Sequence, residues 1–156
     1  MKKYFNLEGK LSIVTGAASG LGKAIAQGLA ECGSDVIIVD RNEEGLLKTE
    51  EGLKTFGNGV INFKTDLSSL EDIDKLFKKV DLLKRDIDFL ANVAGDGILS
   101  KPENISIDEL KAVLNNLVIC RFYMCQHSGK RMLKRGKGSI LNIGSLASTT
   151  ALGRGH

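Results

Sequence analysis

Thr15-Gly16-Ala17-Ala18-Ser19-Gly20-Leu21-Gly22 follows an apolar run and precedes a stretch rich in small residues. A glycine-rich turn that opens a helix presents unpaired backbone N–H groups and the positive end of the helix dipole, which together favour a phosphate. Gly16 permits the tight turn, Gly20 lets a pyrophosphate approach bare backbone, Gly22 lets helix pack on strand, and Ser19 adds a hydroxyl donor. Asp40 closes the next apolar run, 18 residues beyond Gly22, where a carboxylate accepts hydrogen bonds from an adenosine ribose. The pair predicts NAD rather than NADP, because the carboxylate repels a 2′-phosphate, although Arg41 beside it partly offsets that repulsion. The bland alternatives are a plain strand-to-helix turn and a solvated acid that starts a turn.

Gly16 to Lys23 fails as a nucleoside-triphosphate loop. That chemistry needs G-x-x-x-x-G-K followed by Ser or Thr to hold magnesium, whereas Leu21 stands at the glycine position and Ala24 follows Lys23. Cys120, Cys125 and His127 sit at five- and two-residue spacings on one expected helix, which do not converge on a tetrahedral ion, so no metal site is expected. The three cysteines are odd in number and form no C-x-x-C pair, which reads as reduced thiols in the cytoplasm.

The chain has 156 residues, 42% of them hydrophobic and 26% charged, with one proline, a composition that excludes disordered and low-complexity classes and fits a single globular domain over 1–156. The net charge of +3 comes from Lys130, Arg131, Lys134, Arg135 and Lys137, and removing them leaves −2. That cluster suits the negative end of a helix, and with no aromatic residue interleaved for base stacking it does not indicate nucleic acid. The basic start is no secretory signal, and no run approaches the roughly 18 apolar residues of a membrane span, so neither secretion nor a membrane partner is expected.

Apolar runs alternate with amphipathic stretches, which demands parallel strands joined by crossover helices. Strands are predicted at Leu11–Val14, Val36–Val39, Val60–Phe63, Ile87–Ala91 and Ser139–Ile143. Helices are predicted from Leu21 to Cys32, from Glu43 to Phe56 with Asn42 as cap, from a Ser68/Glu71 capping box to Leu83, and from a Ser106/Glu109 box to Arg135 with Gly136 as stop. Five strands and four helices in this order imply an α/β, Rossmann-like doubly wound sheet of order 3-2-1-4-5, whose ligands bind at the carboxyl ends of the strands where the order reverses.

With these motifs in order, the sequence resembles the short-chain dehydrogenase/reductase family in its compact branch with a T-G-x-x-x-G-x-G fingerprint. The resemblance covers residues 7–150. It rests on Leu7-Glu8-Gly9-Lys10, the glycine-rich loop, Asp66-Leu67, Asn92-Val93-Ala94-Gly95 and Asn142-Ile143-Gly144-Ser145. It implies that Thr15, Gly16, Ser19, Gly20, Leu21 and Gly22 hold the dinucleotide with Asp40 and Arg41. Asp66 and Leu67 would border adenine, and Asn92, Ala94 and Gly95 would line the adenosine ribose and stabilise the sheet centre. Ser145 matches the catalytic serine, which hydrogen-bonds the oxygen of a secondary alcohol or ketone while hydride passes to or from nicotinamide.

The family's proton donor is a tyrosine in a Y-x-x-x-K motif about a dozen residues after that serine, which would fall just beyond His156. Neither Tyr4 nor Tyr123 can replace it, since Tyr4 precedes the first strand and His127 stands four residues after Tyr123. The expectation is therefore the N-terminal part of a longer homo-oligomeric NAD(P)-dependent oxidoreductase, missing the C-terminal strands and helices and inactive in these residues alone. A dinucleotide-binding protein without catalysis is the alternative. Aligning through Glu109, Phe122 and Gln126 puts Leu117 where the family often has a proton-relay Asn. Asn115 and Asn116 read as solvated helix residues. Sugar acids and 3-oxoacyl thioesters are the weakly favoured substrates.

Overall fold

A computed structural model describes residues 5–98 and 100–145. Tyr4, excluded above as proton donor, lies outside the described residues. Five parallel strands, β1 (Leu11–Thr15), β2 (Asp35–Asp40), β3 (Val60–Lys64), β4 (Phe89–Asn92) and β5 (Ser139–Asn142), form one sheet of order β3-β2-β1-β4-β5, as the alternating pattern requires. The crossovers are α1 (Gly20–Glu31), α2 (Glu43–Lys54), α3 (Leu70–Leu82) and a continuous rod made of α4 (Ile107–Leu114), a π turn (Asn115–Ile119) and α5 (Cys120–Arg135).

The central strands are apolar on both sides because helices cover both faces. Leu11, Ile13, Ile37, Val39 and Leu90 pack with Ile73, Leu76, Phe77 and Val80 of α3 and Cys120, Met124 and Met132 of α5. On the opposite face Val14, Val36, Ile38 and Ala91 meet Ala26 and Ala30 of α1 and Leu46 and Leu53 of α2. Removing a side chain such as Ile37, which is wholly buried, costs about 2–5 kcal/mol in lost transfer and cavity energy. Gly45, an apparent weakness in α2, has a packing reason: a Cβ there would lie 2.7 Å from Ala18 Cβ.

Asn42 caps α2 by accepting from Gly45 N, the Ser106/Glu109 box closes in both directions, and Gly136 ends α5 with φ +77°. The cap of α3 departs from expectation. Asp66 accepts from both the backbone N–H and the hydroxyl of Ser68, which diverts Ser68 into a turn, and Ser69 caps the helix by accepting from Asp72 N. The fourth strand also begins later than the apolar run implies. Asp88 instead works as a staple at the amino end of the sheet, accepting from Leu11 N (3.0 Å) and Lys10 Nζ (3.3 Å) and pairing with Arg135 (3.1 Å). Burial alone would push its carboxyl up, but the Leu11 N–H, Lys10 and Arg135 hold it below the ordinary range.

Candidate dinucleotide-binding site

A cleft of about 430 Å³ opens at the carboxyl ends of the strands, where the order reverses between β1 and β4. Gly16, Ser19, Gly20, Leu21, Gly22, Asp40, Arg41, Asp66, Leu67, Ala94 and Gly95 line it, together with Thr65, Val93, Asp96, Asn116 and Ile143, to which the sequence assigned no role in the site. Side chains from four βα connections thus converge because parallel strands all deliver their carboxyl ends to one edge.

The glycines answer to distinct geometric demands. Gly16 adopts φ +68°, and a Cβ there would lie 2.9 Å from Ala94 N. A Cβ at Gly22 would collide with the carbonyl of Gly16, so only glycine lets α1 start this close to β1. At Gly20, with φ +50°, a Cβ would meet no atom within 4 Å, so bare backbone fronts the open cleft as an approaching phosphate requires. α1 also begins differently from its neighbours. Ser19 makes no side-chain cap and the first turn carries no acid, whereas α2, α3 and α4 are each capped and acidic there. Its first N–H groups and about half a unit of positive dipole charge are left facing the cleft.

Asp40 Oδ2 accepts from Ala18 N (3.1 Å) and Oδ1 from Asn42 N (3.0 Å). The carboxylate therefore ties the glycine loop to the start of α2, and each oxygen keeps a lone pair for a further donor. Arg41 reaches across the cleft mouth to Asp96, Nη2 to Oδ2 at 2.7 Å, with both side chains largely in solvent. The Ser68 hydroxyl and N–H hold the Asp66 carboxyl below the usual carboxylate range, with a smaller contribution from the Arg41 charge, and keep an acceptor at the cleft rim.

Thr15 and Asn92 lie beneath the cleft rather than in its wall. The Thr15 hydroxyl accepts from Val93 N (2.9 Å) and Ala94 N (3.0 Å) and donates to Ala91 O (3.3 Å), fixing the path of the β4 loop. Asn92, also buried, donates to Asn142 Oδ1 (2.9 Å) and Cys125 Sγ (3.2 Å), joining β4 to β5. Ser145 is exposed on the segment leaving β5, three residues past Asn142, and is not among the cleft-lining residues.

The long helix corrects the expectation for its asparagines. Asn115 Nδ2 donates to Ser68 O (2.8 Å), Asn116 Nδ2 donates to Asp96 O (3.2 Å), and both are half-buried rather than solvated. The π turn rotates this part of the rod inward, which a uniform 3.6-residue period cannot anticipate. Leu117 packs on the β4 loop, where a Cβ at Gly95 would fall 2.6 Å from its Cδ2. Arg121, one turn later, donates to Ile143 O (2.6 Å) and Ala94 O (2.9 Å). A lone cation in the otherwise uncharged run Asn115–Gln126 was the signal for it. Cys120 donates to Asn115 Oδ1, and burial pushes its thiol up, keeping it protonated.

Residues 10–155 match the family model described as short chain dehydrogenase. The chain is 36% identical over 95% of its length to a D-threitol dehydrogenase of Mycolicibacterium smegmatis, of which it covers 57%. It is 32% identical over 96% of its length to an NAD-dependent glycerol dehydrogenase of Listeria innocua, of which it covers 58%. Among solved structures, an NAD+-bound xylitol dehydrogenase superposes with a TM-score of 0.88 at 29% identity, covering 94% of this chain and 56% of that one. L-sorbose reductase of Gluconobacter frateurii with NADPH and L-sorbose superposes at 0.89 and 26% identity, with 94% and 56% covered. The chain thus spans somewhat more than half the length of these relatives. With the family model matched over nearly all of its length and the superposition on these dehydrogenase and reductase folds, the chain belongs to the short-chain dehydrogenase family.

Proposed function

We propose that this chain carries the dinucleotide site of an NAD-dependent oxidoreductase acting on a secondary alcohol or ketone, of the polyol or sugar-acid type. The observation that carries the proposal is the cleft with the uncapped start of α1 at one side and Asp40 at another. In this reading the N–H groups after Gly20 take the pyrophosphate, Asp40 accepts from the adenosine ribose, and Asp66 with Leu67 borders the base. Bound nicotinamide supplies or accepts the hydride. Ala94 and Gly95 line the adenosine ribose, as the resemblance implies, Gly95 on the side toward β5 also borders the nicotinamide half, and Ser145 holds the substrate oxygen.

NAD is favoured over NADP because the Asp40 carboxylate stands where a 2′-phosphate would arrive, while Arg41, the nearby cation, is engaged by Asp96. Relatives named for NAD and for NADPH both occur, so the preference is argued from these two residues. Names that include threitol, glycerol and gluconate among the relatives support a polyhydroxylated substrate. Fluorescence titration of the polypeptide with NADH and NADPH tests the cofactor. Binding of NADH at least about tenfold tighter, some 1.4 kcal/mol, is expected. Equal or tighter NADPH binding overturns the preference, and turnover of a polyol panel by the protein carrying these residues tests the substrate class.

One observation favours a second reading, dinucleotide binding without catalysis: Leu117 stands where the resemblance leads one to expect a relay Asn. NADH binding combined with no turnover of any alcohol, sugar acid or 3-oxoacyl thioester distinguishes it.

A further inference from the structure

We propose that Arg121 is a positioning residue that sets the distance between the loop after β4 and the loop after β5, and so places the nicotinamide half of the dinucleotide relative to Ser145. The inference rests on the functional reading above. The backbone ladder between these strands ends at Ile143 N to Asn92 O (3.1 Å), and among the described residues no further backbone hydrogen bond joins the two loops beyond it. Arg121 links them instead. Its Nη1 donates to Ile143 O, two residues before Ser145, and its Nη2 donates to Ala94 O, beside the cleft-lining Gly95.

Three features distinguish this from ordinary helix packing. A planar guanidinium holds two acceptors at a fixed separation, which a flexible ammonium does not. Its Nε is buried without a hydrogen-bond partner, and among the described residues no carboxylate pairs with it, so a charge is kept half-buried at a desolvation cost that a methionine of similar length would avoid. Gly95 makes the approach possible, since a Cβ there would lie 2.9 Å from Arg121 Nη2. The strut is therefore built from both sides, by a cation on α5 and by an absent side chain on the β4 loop.

The test compares Arg121→Met, which keeps the aliphatic packing, and Arg121→Lys, which restores one donor. Each is titrated with NADH and with ADP-ribose, which lacks nicotinamide. For Arg121→Met, NADH binding is expected to weaken by about tenfold, with ADP-ribose within about twofold and Arg121→Lys intermediate, on the scale of one lost charged hydrogen bond. Amide hydrogen exchange should accelerate at Gly95, Asp96, Gly144 and Ser145 in Arg121→Met. Equal losses for both ligands reduce Arg121 to a general structural role, and unchanged binding with unchanged exchange overturns the proposal outright. If the unsubstituted chain binds neither ligand, the dinucleotide reading fails, and the exchange rates still decide whether the strut exists.

Discussion

The two sides of the sheet's switch point are built to different standards of closure. On the β1–α1–β2 side every residue of β1 is buried, Val36–Val39 are buried, and the Asp40 carboxylate ties the glycine loop to the start of α2 by accepting from the Ala18 and Asn42 N–H groups. On the β4–β5 side, β5 is the last strand of the sheet among the described residues and has no fully buried residue, α4 buries none, and Leu114, Val118 and Phe122 leave an apolar stripe exposed along the rod. An apolar face of this kind invites association. The dinucleotide half is finished within the described residues. On the other side, β4 and α5 share the buried core, and toward β5 specific polar devices, Asn92 with Asn142 and Arg121 with two carbonyls, add to that burial.

The contrast can be broken most severely at Gly22. Gly22→Val should abolish measurable NADH binding, a loss of at least about a hundredfold, and lower the melting temperature, because the new side chain separates α1 from β1. Titration and circular dichroism check both, and retained binding would show that close packing of α1 is dispensable. Ile37→Ala should next cost about 2–5 kcal/mol by urea unfolding. Phe122→Gln, at a position 64% exposed, should change stability by no more than about 0.5 kcal/mol. If the two substitutions cost the same, the difference in closure has no energetic meaning.

Asp88 sharpens the comparison because it joins the two sides, bonding β1 and α5 at once. Asp88→Asn should cost about 2 kcal/mol at neutral pH. Since the folded carboxyl is held below its unfolded range, that stability is complete above the unfolded pKa and is lost as pH falls below about 4 through the folded value. The difference between Asp88→Asn and the unsubstituted chain should therefore shrink in acid, and a difference independent of pH would rule the mechanism out. A smaller acid effect is expected from His127, stacked on Phe77 and 3.0 Å from Asp74. Burial and the Arg131 charge push its imidazole down, so it favours the folded state above about pH 6.5 and loses that contribution as pH falls. His127→Gln should flatten that part of the stability profile.

The sheet order and the glycine cleft were legible because both follow from periodicity and from residue types with few alternatives. Glycine at 16, 20 and 22 and an acid at 40 have few places to stand in a βαβ unit. Features that depend on displaced registers were not legible. Ser68 and Ser69 are both good caps, and only the turn made by Asp66 decides between them. Asn116 and Arg121 enter the site through a π turn that changes which face of the rod looks inward, and no residue within Asn115–Ile119 announces it. Ser145 was assigned through family resemblance alone, because nothing in periodicity or spacing marks an exposed serine beyond β5.

The central claim is that the cleft at the carboxyl edge between β1 and β4 receives the dinucleotide. Backbone amide shifts recorded during titration with NADH test it most directly. The account predicts saturable shifts at Gly20, Leu21, Gly22 and Ala94, with the exposed end of α5 around Leu133 unmoved. Saturable binding that shifts the α4–α5 face and leaves the glycine loop untouched, or no saturable shift at all, would contradict it.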